Sequence, residues 1–149
     1  MVLSVHTTIS LAQDTNKKEE QPKTEVAHPI QLTEYDFNMK IADIKNHPHE
    51  FKYIGTRPCV IDFYADWCGP CRMLSPILNE LSKEYAGKVD FYKINVDKEQ
   101  NLAQAFAIRS IPTLLFIPME GKPTLMQGAS PKGELKKIID ELLLKKEKE

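Results

Sequence analysis

Cysteine is scarce in this chain, with three among 149 residues, too few and too unevenly spread to staple a disulfide scaffold. No apolar run approaches the roughly 18 residues that a membrane-spanning helix needs, so no membrane span is expected. Neither sign of charge dominates: 20 Lys and Arg stand against 21 Asp and Glu, a formal net charge of -1. Nothing electrostatic therefore favours nucleic acid or an anionic membrane as a partner. There is one Cys-x-x-Cys and no second, and the histidines (His6, His28, His47 and His49) are out of helical register with it. A structural zinc site usually wants four protein ligands, so no metal is expected. There is no internal repeat.

What is present suits one domain with room for a tail. The hydrophobic share of 42% is ample for a core, and the charged share of 28% is ordinary. Residues 1–13 are mildly apolar and end in Ser10-Leu11-Ala12-Gln13, a small-residue setting compatible with signal-peptidase cleavage. They lack a basic n-region and carry His6 inside the apolar stretch. Three origins stay open: a signal whose start is lost or misassigned, a cytosolic tail, or residues left by cloning. Residues 14–29, rich in Lys, Glu, Gln and Thr with Pro22, bury too little apolar surface to offset ordering and read as a flexible polar linker. The globular domain is expected over residues 30–149.

Within it, Ile30 to Thr33 reads as a short strand. Thr33 and Asp36 then mark a helix start, followed by Phe37, Ile41 and Ile44 at helical spacing and stopped by His47-Pro48. Cys59-Val60-Ile61-Asp62-Phe63-Tyr64, led in by Pro58, reads as a buried strand. After Cys71 a helical stripe runs through Leu74, Ile77 or Leu78, Leu81 and Tyr85 until Gly87. Val89 to Val96 alternates as a strand, and Asp97 with Gln100 is placed to cap a helix carrying Leu102 and Phe106. Thr113 to Ile117 and Pro123 to Gln127 read as a hairpin turning at Gly121. Ser130-Pro131 opens a last helix, with Pro131 in its first turn and Leu135, Ile138, Ile139 and Leu142 on one face. The order β-α-β-α-β-α-β-β-α predicts an α/β fold. Its central sheet is mixed, parallel strands plus a C-terminal antiparallel hairpin, with helices on both faces.

Trp67-Cys68-Gly69-Pro70-Cys71 follows a predicted strand and opens a predicted helix. A helix N-terminus offers unpaired N–H groups and the positive end of a dipole, both of which stabilise a thiolate. Cys68 is expected to be exposed and nucleophilic, and Cys71, one turn further in, to be more buried. Cys68 would attack a partner disulfide, and Cys71 would then resolve the mixed disulfide. Gly69 is read as letting the backbone turn tightly, and Pro70 as supplying a helix-compatible φ.

From about Ile30 onward the chain resembles the thioredoxin family. The resemblance rests on Val60 to Cys71, on Lys93-Ile94-Asn95-Val96-Asp97, on Ile108-Arg109-Ser110-Ile111-Pro112-Thr113 and on Gly128-Ala129. It implies the thioredoxin fold and a redox pair Cys68/Cys71 with no other cofactor. Asp62 matches the family's buried carboxylate, whose desolvation would suit it to accept a proton from Cys71. Lys93 matches the lysine beside it. Pro112 matches the cis-proline facing the cysteines, with the backbone of Ile111 pairing an extended substrate peptide. Trp67 is expected at the lip of the site, holding Asp62's surroundings in place. Gly128 is expected to allow close approach of a partner's backbone.

The resemblance implies a reductase of protein disulfides, recycled by a thioredoxin reductase or a membrane thiol reductase and acting as a monomer. Gly69-Pro70 resembles reducing members, whereas strongly oxidising relatives carry a polar or cationic residue there. The alternatives are an extracytoplasmic oxidant or isomerase, and a non-catalytic peptide-binding module. A periplasmic or otherwise exported location is expected, with the cytoplasm as the alternative. Tyr64 stands where many members carry tryptophan, and the 46–58 segment is longer than in compact members. His47-Pro48-His49 reads as a polar loop, Pro76 as a structural interruption of the helix, and Cys59 as an inert buried thiol on the face opposite Asp62.

Overall fold

The computed structural model describes residues 27–145. The expected tail at 1–13 and nearly all of the linker at 14–29 lie outside the described residues. The chain runs β1 (Ile30–Gln31), α1 (Glu34–Lys40), β2 (Cys59–Tyr64), α2 (Gly69–Glu84), β3 (Asp90–Asn95), α3 (Gln100–Ala105), β4 (Thr113–Ile117), β5 (Thr124–Gln127) and α4 (Lys132–Leu142). The sheet order is β1-β3-β2-β4-β5. β3 pairs parallel with both β1 and β2, and β4 pairs antiparallel with β2 and β5. This is the mixed α/β sheet that the sequence predicts.

β2 lies at the centre because both of its faces are apolar. On one face Val60 joins Leu74, Leu78 and Leu81 of α2 and Leu135 and Ile139 of α4. On the other, Cys59, Ile61 and Phe63 join Phe37 of α1 and Leu102 of α3. The period of two along the strand thus sends alternate side chains into two cores. Full burial of each such Leu, Ile or Phe contributes about 1.5–3 kcal/mol relative to exposure. Asp62 shares its face with Val60, an acid placed where the pattern calls for a hydrophobe.

Local chemistry explains where the elements start and stop. Thr33 and Asp36 form the expected capping box: Thr33 Oγ1 accepts from the Asp36 N–H at 3.1 Å and Asp36 Oδ2 from the Thr33 N–H at 3.2 Å. The helix ends at Lys40, however, short of the expected His47. The N–H groups of Ile41 and Ala42 both turn onto the Phe37 carbonyl, at 2.8 and 3.1 Å. Asn38 then takes the Glu34 carbonyl and accepts from the Lys45 N–H, which closes the turn. α3 also departs from expectation: Glu99 is its N-cap, without a side-chain cap bond, and Asp97 is committed elsewhere. Pro131 is the N-cap of α4 rather than a first-turn residue, and Leu143 is buried where Leu142 is 40% exposed. α2 stops at Glu84 with Tyr85 as its C-cap, and Gly87, at φ +79°, lies in the turn beyond in a conformation that glycine adopts freely. His47 and His49 are exposed in the loop between α1 and β2, which Phe51 anchors against Phe106.

Candidate active site

β2 delivers the chain to the site, and α2 carries it away. Cys68 is the N-cap of α2, with Pro70 in the first turn, and its Sγ accepts from the Cys71 N–H at 3.2 Å. Cys68 and Cys71 are joined as a disulfide with their Cα atoms 5.3 Å apart. A thiolate at Cys68 would face that N–H and the positive end of a 16-residue helix. The expected contrast in exposure is absent: Cys68 is 4% exposed and Cys71 3%. Both cluster with Ala65, and Tyr64, Val96 and Ile111 pack against that cluster. The asymmetry between them is positional, one at the cap and one inside the helix.

Asp62 is 5% exposed, and among the described residues its Oδ1 has no hydrogen-bond partner. Burial pushes its carboxyl up from 3.8 to about 7, while the positive charge of Lys93 pulls it down. Lys93 stands opposite Asp62 in the parallel register of β2 and β3. Its ammonium lies over the ring of Tyr64, 5.7 Å from the centroid, and the Tyr64 hydroxyl donates to Gln31 Oε1 at 2.6 Å. Asp62, Tyr64, Cys71, Arg72, Ser75 and Lys93 line one cavity of about 250 Å³. Asp62 and Cys71 therefore meet the same pocket, which is roomy enough for water.

The opposite flank is a groove of about 180 Å³ lined by Trp67, Val96 and the 108–111 loop. Trp67 is 69% exposed, and its indole N–H donates to Asp97 Oδ2 at 2.8 Å. It stands at the lip and lines this groove. The Ile111–Pro112 peptide is cis, Pro112 is buried, and its carbonyl accepts from the Gly128 N–H at 2.8 Å. Gly128, at φ +87°, thus ties the end of β5 to the proline loop. Gly69 needs no such freedom: its φ is not positive, and a Cβ built there would meet nothing within 4 Å. The tight turn expected of it is not there, because the chain is already helical at Gly69.

Two residues outside the expected set shape the site through their contacts, Asp97 and Tyr64. Asp97 has the residue type and spacing of a helix cap, yet its carboxylate accepts from the Trp67 indole N–H, a pairing across 30 positions that no local pattern signals. Tyr64, two residues beyond Asp62 in β2, lies on the same face of the strand and lines the same cavity. Cys59 lies where expected, fully buried on the opposite face, and burial pushes its thiol up to about 12. Among the described residues no group of three or more His, Cys, Asp or Glu could hold a metal ion.

A vicinal cysteine pair at a helix N-terminus, with a buried carboxyl behind it and a cis-proline loop in front, defines a thiol–disulfide exchange protein. The thioredoxin family model matches residues 29–141. Thioredoxin of Borreliella burgdorferi is 50% identical over 110 residues, covering 74% of this chain and 93% of its own. The chloroplastic M-type thioredoxin of Pisum sativum is 46% identical over 86 residues, or 58% of this chain, which spans about half of that relative. The chain belongs to the thioredoxin family. It is a thiol–disulfide oxidoreductase of the disulfide-reducing class.

Proposed function

We propose that the chain reduces disulfides of other proteins through Cys68 and Cys71, with Asp62 as the internal base. The Cys68 thiolate attacks one sulfur of a substrate disulfide, and the other substrate sulfur leaves and takes a proton. Asp62 then accepts the proton of Cys71 through the cavity they share, with Lys93 holding the resulting carboxylate. The Cys71 thiolate attacks Cys68 Sγ, closing the Cys68–Cys71 bond and releasing the second substrate thiol. Two electrons pass from the dithiol to the substrate. Trp67, Gly69, Pro70, Ile111, Pro112 and Gly128 form the surface that receives an extended peptide around its disulfide. The observation that carries this reading is the shared pocket of Asp62 and Cys71 behind the capping cysteine.

The cycle uses no cofactor beyond the cysteine pair, and every group in it belongs to one chain, which supports action as a monomer. A thioredoxin reductase or a membrane thiol reductase returns the disulfide to the dithiol. The domain comprises residues 30–149 behind a linker at 14–29. The small-residue stretch Ser10-Leu11-Ala12-Gln13 supports export to the periplasm, with the cytoplasm as the alternative. The N-terminal sequence of the mature protein decides between them.

The first experiment is the redox equilibrium of Cys68/Cys71 against glutathione or dithiothreitol, with insulin reduction alongside. A low potential with brisk insulin reduction is the expected result. A potential high enough to oxidise glutathione, with little insulin reduction, would make the protein an oxidant instead.

A further inference from the structure

We infer that Tyr64 is a positioning residue for the exchange reaction: its ring clamps the Lys93 ammonium beside Asp62, and its hydroxyl is anchored on Gln31. This rests on the reading of Asp62 as the base for Cys71.

Three observations carry it. Among the described residues Lys93 makes no ion pair within 4.0 Å, so no carboxylate fixes its flexible four-carbon stem. The contact that does fix its head is the face of Tyr64, at 5.7 Å, and a cation over an aromatic face is held by the ring quadrupole. The ring in turn is tethered across the sheet, because the Tyr64 hydroxyl reaches Gln31 on the β1 edge at 2.6 Å. Backbone register alone puts the Lys93 Cα opposite Asp62, but it leaves the ammonium free to swing into solvent. The clamp decides how much of that charge Asp62 feels.

The other charged or titratable groups around the Asp62 cavity are Asp66 from the loop after β2 and Cys71 and Arg72 from α2. β4 places only Leu114 opposite Asp62. Lys93 is the single cation contributed by the neighbouring strand, so a device acting on Lys93 acts on the base.

The test is a carbon-13 NMR titration of the Asp62 carboxyl in the oxidised protein, with the pH profile of exchange measured alongside. Tyr64→Leu, which keeps apolar bulk and removes the ring face, is expected to raise the proton affinity of Asp62 about threefold. Tyr64→Met is expected to do the same. Tyr64→Phe, which keeps the ring and loses its anchor on Gln31, is expected to give a rise smaller than that of Tyr64→Leu. In a Lys93→Met background Tyr64→Leu is expected to change nothing further. The inference is overturned if Tyr64→Leu and Tyr64→Met leave the Asp62 titration unchanged or lower it, as greater water access would. It is equally overturned if the rise persists without Lys93. The base assignment is tested separately by Asp62→Asn: an exchange pH profile identical to wild type would sink that reading, while the Tyr64 variants would still report on the clamp.

Discussion

The indole N–H of Trp67 is bonded to the carboxylate of Asp97 at 2.8 Å, although Trp67 itself is 69% exposed. A large aromatic held at the surface by a polar tether, with its body open, is built for contact and not for core packing. Trp67→Ala is therefore expected to lower kcat/KM for protein disulfides roughly tenfold, a loss of about 1.4 kcal/mol in transition-state binding. Thermal stability should change little, because few core contacts are lost. Insulin reduction and a melting curve on the same variant check both halves. A large drop in melting temperature with unchanged kcat/KM would reverse the assignment.

Asp62 makes folding depend on pH in a direction opposite to that of most carboxylates. Burial disfavours the charge and pushes its folded carboxyl up to about 7 from an ordinary 3.8. Between those two values the unfolded chain has released the proton and the folded chain still holds it. The folded state thus binds more protons, and stability falls as pH rises through this window, levelling off above about 7. The gap corresponds to up to about 4 kcal/mol. Asp62→Asn, neutral at every pH, is expected to flatten this slope and to be more stable than wild type at pH 8. Denaturant unfolding of the oxidised protein from pH 4 to 8 measures both effects. An Asp62→Asn protein no more stable than wild type at pH 8 would show that the buried carboxyl carries no such strain.

The strands and the thiol site were legible because their signals are local. Cys59 to Tyr64 and Thr113 to Ile117 appear as strands over the residues read from β-branched and aromatic runs, and the Thr33–Asp36 box is a four-residue pattern. What misled was long-range competition for a polar group. Asp97 has the residue type and spacing of a cap, but a tryptophan 30 positions away takes its carboxylate. Asn38 ends α1 by reaching both back to Glu34 and forward to Lys45, which no helical periodicity encodes. The low exposure of Cys68 likewise depends on Val96 and Ile111, brought in by β3 and the proline loop. The family resemblance named the site residues, yet it was blind to the Tyr64 ring over Lys93, because that contact depends on a residue in which this chain departs from many members.

Cys59 is the third thiol and should be chemically silent. It is fully buried, and burial pushes its pKa up to about 12, so almost no thiolate exists near neutrality. After reduction, iodoacetamide at pH 8 is expected to label only the Cys68/Cys71 pair in the folded protein, and all three cysteines in urea. Mass spectrometry counts the adducts directly. Rapid labelling of Cys59 in the native protein would mean that β2 opens far more readily than its central place in the sheet implies.

Gly69 and Gly87 carry the same residue for opposite reasons, and alanine separates them. Gly87 sits at φ +79°, where a Cβ crowds the following carbonyl, so Gly87→Ala is expected to cost about 1–2 kcal/mol. Gly69 opens α2 with no positive φ and with empty space where its Cβ would be. Gly69→Ala should therefore leave stability unchanged or raise it by about 0.5–1 kcal/mol, through a less flexible unfolded chain. The fold makes no demand for glycine between the cysteines, so the exchange rate is where a substitution there is expected to show. An added methyl at this position, between two cysteines that a partner disulfide must approach, is expected to reduce the exchange rate while the melting temperature holds or rises. Stopped-flow reduction of insulin or of a small aromatic disulfide, compared across the two substrates, checks this. A penalty confined to the protein substrate places the clash at the peptide surface, and an equal penalty for both places it at the sulfur of Cys68.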